Sequence, residues 1–457
     1  MKSSDSSGAS TDFDTPQKFE SSNLSWWEDV KCVFQVVKDY AEMGVALHRT
    51  HGFVYRQRLP TPSIALAHPR HLHRVLKGNA TNYVKSDDYD SLRPLLGGGI
   101  FVSDGELWTR QRRLMAPEFR SVVVPRFVPV IVDSVESLFR EWDQQPERDF
   151  SADMMRLTIW IVGGALFHQE FRQESEQIGH ALEVCLAQGT LQMVSMGLLQ
   201  PWMPTPGNRE ARRQEEILNR IVVELIERNR EKPGPGMLSR LLTAKDEETG
   251  AGMSQQQLID EVKSLILAGH ETTSLALSWA FYLLSSHPEA AERLREEADR
   301  VLGGRSPTAE DFPKLEYARM VFLETMRLYP PVPVVTRTAK EADHFDGIDI
   351  AAGEKVIVAI YATQRHPDFW TDPERFDPER FSPAREPSIQ PYSYLPFLLG
   401  RRACLGEHFA MLEGVLALAM IAGRYTVTRL DNNEIATRPI STLRLARPLL
   451  ARVQRRS

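Results

Sequence analysis

A helical period beginning at Ser254 limits this chain's fold more than any other stretch. Leu258, Val262, Leu265, Gly269, Thr272, Ala276, Trp279 and Leu283 recur at helical spacing, over about 30 residues or roughly 45 Å of helix. Such a helix has to cross the middle of the molecule. Ser254 opens it with a capping box to Gln257. Halfway along stands Ala268-Gly269-His270-Glu271-Thr272-Thr273, where glycine alone costs about 1 kcal/mol against alanine. Polar groups on a buried element are expensive unless partnered, and locally consistent sequences break their own rules mainly at functional sites. Thr272 and Thr273 bonding to carbonyls one turn back is the plainer explanation of the two threonines.

The second constraint is the stretch Phe397–Gly406, Phe-Leu-Leu-Gly-Arg-Arg-Ala-Cys-Leu-Gly. Glycine permits positive φ and the close approach of a bulky partner, and an arginine fork suits a carboxylate. A cysteine kept as thiolate needs donors, positive charge or a metal beside it, and Phe397 would limit solvent access to the sulfur. Together they describe a loop presenting a thiolate to a large, flat, dianionic metal cofactor; a lone buried cysteine in a Gly-rich turn is the bland alternative.

The rest of the chain reads as mainly helical. Residues 52–67 alternate as a hairpin around Leu59-Pro60-Thr61-Pro62. A short helix runs from Pro69 to Gly78, and 79–107, with Gly97-Gly98-Gly99, reads as a long loop of the functional kind. Trp108 and Arg112 share a helix face. Helices fill 122–232 with breaks at Pro146 and Pro201–Gly207, and 232–254 is a loop around one short helix. Further helices are expected over 288–303, 315–329 and 407–422, a hairpin over 347–361, and edge strands with a solvated tail over 435–457. The first 25 residues are expected to be a flexible tail, without a signal peptide. The amphipathic stretch around Trp26, Trp27 and Phe34 is too polar to span a bilayer and is expected to dock on the protein's own body rather than on an interface. The net charge of −6 suggests no nucleic-acid partner, and three widely spaced cysteines, Cys32, Cys185 and Cys404, argue for a reducing, cytoplasmic setting.

Phe397, Gly400, Arg402, Cys404 and Gly406 carry a resemblance to the cysteine-ligand signature of the cytochrome P-450 family. The resemblance covers nearly the whole chain. It implies a mainly α fold with a smaller β-rich lobe, in which 26–457 form a single haem domain of the soluble type. Haem b is the implied cofactor, with Cys404 as the metal ligand and Trp108, Arg112, Arg337, Phe397, Arg402, Gly406 and Ala268 as cofactor contacts. Glu271 and Thr272 correspond to the family's acid–alcohol pair. Glu324 and Arg327 correspond to its E-x-x-R pair, for which Arg375 and Arg380 are both possible third partners; position relative to Cys404 favours Arg380. The implied activity is insertion of one oxygen atom of O2 into an apolar molecule such as a fatty acid, terpenoid or polyketide. Electrons would come from a separate ferredoxin- or flavodoxin-type donor, docking near Arg110, Arg113 and Arg401 on a monomer. A peroxide-driven oxygenase or isomerase, and a non-catalytic haem sensor, are the rival readings.

Overall fold

The computed structural model describes residues 18–169, 171–195, 198–234, 236–246, 248 and 250–456. Helical periodicity becomes helix along most of them. Ser25 caps α1 (Trp26–His51) in a capping box with Glu28, and α2 (Pro69–His73) runs on into a π turn at Arg74–Gly78. There follow α3 (Arg93–Leu96), α4 (Gly105–Met115), α5 (Val128–Trp142), α6 (Phe150–Val162), α7 (Ser175–Val194), α8 (Pro206–Glu231) and α9 (Met237–Thr243). The long helix is α10 (Gln255–Ser286), 32 residues with the Ser254/Gln257 capping box formed, or about 48 Å. α11 (Pro288–Leu302) ends on a left-handed Gly303; α12 (Glu316–Leu328), α13 (Ile360–Thr363) and α14 (Glu407–Arg424) complete the set.

The main sheet runs β1 (Ser22–Asn23), β2 (Val54–Gln57), β3 (Ser63–Leu66), β9 (Lys355–Val358), β6 (Val335–Ala339), β4 (Tyr83–Lys85). The expected hairpin over 52–67 is β2–β3, antiparallel with Val54 opposite Leu66. The hairpin expected over 347–361 does not form. β8 (Ile348–Ile350) pairs back with β7 (Asp343–Phe345), whereas β9 joins β3 in parallel and β6 antiparallel. Alternation identifies a strand and its faces but not its neighbour. The last stretch is also more central than expected. β11 (Thr437–Ile440) and β12 (Thr442–Leu445) form a hairpin, while β13 (Leu450–Arg455) lies between β10 (Tyr425–Arg429) and β5 (Glu147–Asp149). Ala451 and Val453 of β13 are buried, and its arginines are paired, Arg452 with Glu147 and Arg455 with Asp143.

Of the tail expected over 1–25, the part from 18 onward is docked. Phe19 packs on Phe53 and His71, β1 pairs with β2, and Leu24 is buried. Asp39 breaks α1 at φ −158 and caps the second half through the N–H groups of Ala41 and Glu42. The helix docks through Asp29, Cys32, Ala41 and Val45 but leaves Trp26, Trp27 and Phe34 exposed.

The core surrounds α10, which packs on α6, α12, α14 and α8. Gly269 lets α6 approach closely: a Cβ there would stand 2.8 Å from Val162. Among the described residues one stretch, Phe150–Phe167, is long and apolar enough to cross a membrane, and 72% of it is buried inside the protein.

The region 79–107 carries β4, α3 and the start of α4 rather than plain loop, and its glycine run is pinned to α10. Gly98 N–H donates to Asp260 and Ile100 N–H to Glu261, at 2.8 and 3.0 Å. Lys85 Nζ donates to the carbonyls of Ile100 and Ser103. Burial, with Asp260 adding to it, pushes the Glu261 carboxyl up to about 8, and burial pulls Lys85 down to about 7. Glu261 therefore keeps a proton that the unfolded chain releases, so its contribution is lost as pH rises from 4.5 to about 8. Lys85 adds the opposite slope only above about 7. Glu261→Gln is expected to gain stability on the wild type across the Glu261 window, by on the order of 3 kcal/mol. Urea midpoints measured at several pH values, showing a constant difference, would refute this.

Candidate active site

The cysteine loop is shaped by backbone geometry. Leu398 and Gly400 both have positive φ, and a Cβ on Gly400 would lie 2.2 Å from the Leu76 carbonyl of the π turn. The Cys404 N–H closes the loop on the Phe397 carbonyl at 2.8 Å. Gly406 caps α14 at φ −87, and a Cβ there would meet only the Cys404 sulfur, at 3.9 Å. Cys404 is a free thiol exposed to an opening in the fold. Burial by the surrounding protein raises its pKa, against the N–H groups of Gly406 and Glu407 and the charge of Arg112. The N–H groups at the start of α14 favour the anionic sulfur, but desolvation outweighs them.

Cationic and N–H donors gather beside this loop. Trp108 and Arg112 share one face of α4, and the guanidinium groups of Arg112, Arg401 and Arg402 each lie 5.5 Å from the Trp108 ring. Arg112 Nη1 donates to the Ala403 carbonyl at 2.8 Å, and burial lowers the pKa of its guanidinium. Arg337, buried on β6, donates through Nη1 to Thr336 O and Tyr89 Oη. Among the described residues the Trp108 indole N–H and the remaining guanidinium N–H groups of Arg112 and Arg337 have no hydrogen-bond acceptor. Arg402 behaves differently. It pairs with Asp104 at 2.5 Å and donates to the Tyr83 and Ala80 carbonyls, so its fork holds the loop to α4 and β4.

On α10 the flanking turns are buried, but Ala268 is exposed and Gly269 and Thr272 are half-buried. Ala268, Glu271 and Thr272 line a largely apolar cavity of about 250 Å³ with Leu186, Phe101 and Val334. Residues from 83–105, 185–199, 265–268 and 332–335 each contribute to it, as do Tyr40 and Met43 of α1. Thr272 Oγ1 donates to the Ala268 carbonyl at 2.8 Å, the local bond that threonine favours in helices.

Glu271 is buried. Its Oε1 accepts from Thr442 Oγ1 at 2.6 Å and from Arg444 Nε and Nη2 at 2.8 and 2.6 Å, while Oε2 has no partner. Arg444, His270, Ser274 and Ser278 face a second cleft of about 700 Å³, in which charged side chains such as Arg148, Asp153 and Arg156 stand among apolar ones. Glu271 thus separates an apolar cavity from a polar cleft. Sequence reading missed Arg444 and Thr442. Residues 171 and 173 positions downstream carry no spacing signal, and only the in–out alternation of β12 hinted at their orientation.

Glu324 and Arg327 form a bidentate pair at 2.6 and 2.8 Å in full burial. Arg380 Nε joins Glu324 at 3.3 Å, whereas Arg375 offers its carbonyl to Arg327. The Glu-x-x-Arg pairs Glu227/Arg230 and Glu292/Arg295, at the same spacing, are exposed at one partner or both.

An apolar cavity beside α10, an exposed cysteine thiol and a cluster of N–H donors lacking acceptors among the described residues fit a flat metal cofactor with two carboxylates. Comparison with known proteins agrees: the cytochrome P-450 family model matches residues 25–451, and the chain belongs to that family. It is a cytochrome P-450 monooxygenase. It is 33% identical to cyclooctatin synthase of Streptomyces melanosporofaciens, over 86% of this chain and 87% of that one. Cyclooctat-9-en-7-ol 5-monooxygenase of the same organism is also 33% identical, over 82% of each, and pentalenene oxygenase of Streptomyces avermitilis is 28% identical, over 89% and 91%. The crystal structure of the cytochrome P-450DA heme domain superposes with a TM-score of 0.82 over 92% of both chains at 24% identity, a likeness of fold.

Glu324→Ala is expected to cost about 3–5 kcal/mol, because Arg327 and Arg380 would be left buried without their acid. Glu316→Ala, at the exposed start of the same helix, should stay within about 0.5 kcal/mol. Urea unfolding of both variants checks the contrast.

Proposed function

We propose that this monooxygenase inserts one atom of dioxygen into a polycyclic terpenoid, drawing electrons from a separate ferredoxin- or flavodoxin-type protein. The observation that carries the reading is the pairing of an apolar cavity with a buried carboxyl group in its wall, one oxygen of which has no partner. The cavity selects a hydrocarbon body, and the relatives named above are named for cyclooctatin, cyclooctatenol and pentalenene chemistry.

Haem b, which the Cys404 thiolate and the N–H donors of Trp108, Arg112 and Arg337 would hold, would supply the oxygen activation, thiolate ligation favouring O–O cleavage. Phe397, Gly406 and Ala268 leave room for it and keep water from the sulfur. The chain's own contribution is proton handling. Thr272 Oγ1 holds a proton at the cavity wall, at present given to Ala268 O. Glu271 Oε2, buried and unpartnered, is the atom placed to carry a proton from the polar cleft to the cavity. Arg444 and Thr442 hold the other carboxylate oxygen and so aim Oε2. Apolar walls keep bulk water out, so this relay is the supply of protons.

For the electron donor, the geometry narrows the docking face. Arg113 lies beside Asp246 and Glu248, which neutralise it, so an acidic partner would rely on Arg401 and Arg110.

Cys404→Ser is expected to abolish the strongly red-shifted Soret band of the reduced, CO-bound wild type. Thr272→Ala and Glu271→Gln should keep that band and lower product formed per electron by roughly 10²-fold, with electrons diverted to peroxide. Coupled turnover of a terpene alcohol with a ferredoxin system, read by product and peroxide, decides the matter. Equal product from peroxide alone, with no loss in either relay variant, would sink the monooxygenase reading.

A further inference from the structure

The apolar cavity has one polar corner, and the register of the main sheet builds it. Gln57 of β2 stands opposite Ser63 of β3, and Ser63 opposite Lys355 of β9, so these side chains form a row across neighbouring strands. Side chains two residues along a strand share a face, and the next row on this face is Tyr55, Ala65, Ile357 and Thr336. Gln57, Ser63 and Lys355 all line the cavity, yet they are only 8%, 4% and 9% exposed. Lys355 Nζ pairs with Asp87 and Asp88 at 2.7 and 2.8 Å, and Ser63 Oγ donates to the Thr61 carbonyl at 3.0 Å. The Gln57 amide has no hydrogen-bond partner among the described residues. Buried polar groups are normally paired, and one left open on a cavity marks where a ligand group belongs.

The chemistry of this corner selects the group. An amide offers N–H donors and a carbonyl acceptor together, and a serine oxygen that donates once can still accept. Burial opposes the charge on Lys355, but Asp88 and Asp87 more than restore it. One ammonium shared by two carboxylates leaves no net positive charge to draw an anion. Asp88 gives one oxygen to Lys355 and the other to Ser86, and Asp87 stands largely in solvent, so no free acid waits for a cation. What remains is a neutral group that both donates and accepts, and a hydroxyl is the most compact of these. We propose that the substrate arrives already oxygenated, with a hydroxyl seated on Gln57 and Ser63 beside Lys355. The seat belongs to the sheet, whereas Glu271 and Thr272 belong to α10. Anchoring the alcohol on the sheet therefore fixes which carbons of the body face the helix, and Gln57 sets both specificity and position of attack. The enzyme then acts after a reaction that leaves a hydroxyl, either a cyclisation quenched by water or an earlier oxygenation. This narrows the substrate class of the reaction proposed above and rests on that reading.

The test uses the haem-loaded protein and matched pairs of terpene alcohol and parent hydrocarbon: cedrol with cedrane, patchoulol with patchoulane, and sclareol with labdane. Each is titrated by the Soret shift that accompanies binding, then turned over with a ferredoxin system. At least one alcohol is expected to bind roughly tenfold or more tightly than its hydrocarbon, because the hydrocarbon leaves the buried amide unpaired. Gln57→Leu should weaken alcohol binding by about five- to tenfold, leave hydrocarbon binding equal or tighter, and spread the product over more positions. Ser63→Ala should move affinity the same way by less. A Gln57 that only supports the sheet would instead shift both members of a pair together. Equal affinity within every pair overturns the alcohol seat while the terpenoid reading stands, and so does a preference that Gln57→Leu leaves intact. No binding by any of the compounds sinks both.

Discussion

The cysteine loop depends on an ion pair that it never touches. Between β9 and α14 the backbone is irregular for most of its length, and irregular buried backbone must find partners for its polar groups. Arg327, locked to Glu324, supplies them, donating to the carbonyls of Gln364, Pro373 and Arg375. The Gln364 side chain returns to the carbonyls of Met326 and Arg327 and accepts from Leu395 N–H. Leu395 stands two residues before Phe397, whose carbonyl takes the Cys404 N–H. Hydrogen bonds and a short piece of backbone therefore link α12 to the Cys404 amide. Buried ion pairs are poor sources of net stability; here the pair earns its place by fixing one conformation of a segment without repeating structure.

What was legible in the sequence was what short-range rules govern. The Ser254 cap, the Gly303 stop, the hairpin at 52–67 and the helix after Cys404 follow from residues within a turn or two of one another. Candidate site residues could be picked out where motif spacing carried them, at Cys404, Trp108/Arg112 and Glu271/Thr272. Long-range pairing was not. Strand alternation at 347–361 could not say that β8 and β9 belong to different sheets, and six arginines near the C-terminus looked like a solvated tail because their acids, Glu147, Asp143 and Asp299 among them, lie far off in sequence. The aromatic start of α1 failed for another reason: amphipathic period tells that a helix has two faces, not which of them the rest of the protein will cover.

The polar notch in α10 can now be understood side by side with its neighbours. Gly269 is required by the approach of Val162 of α6, and Thr272 bonds within its own helix. Neither needs an outside partner. Glu271 does, and its partner comes from β12 rather than from another helix. The same carboxylate that would destabilise a buried helix is thus compensated at one oxygen and left open at the other. An acid satisfied at both oxygens would be a structural ion pair; one satisfied at neither would take up a proton and stay neutral.

This asymmetry extends to the whole molecule. Below the cavity, α12, α14 and the hydrogen-bonded segment from Gln364 to Cys404 leave little freedom, which suits a site whose ligand geometry must not vary. Around the cavity mouth, the walls come from elements held less regularly: α1 with its break at Asp39, the end of α7, and the hairpin β11–β12 whose Ser441 has positive φ. Substitutions in the first group should disturb the chemistry for every substrate alike. Those in α1 and at the end of α7 can change which molecule fits without touching the acid, the alcohol or the thiolate, so divergence in substrate is free to accumulate there while the reaction stays fixed; β12, whose Thr442 and Arg444 hold Glu271, is the exception.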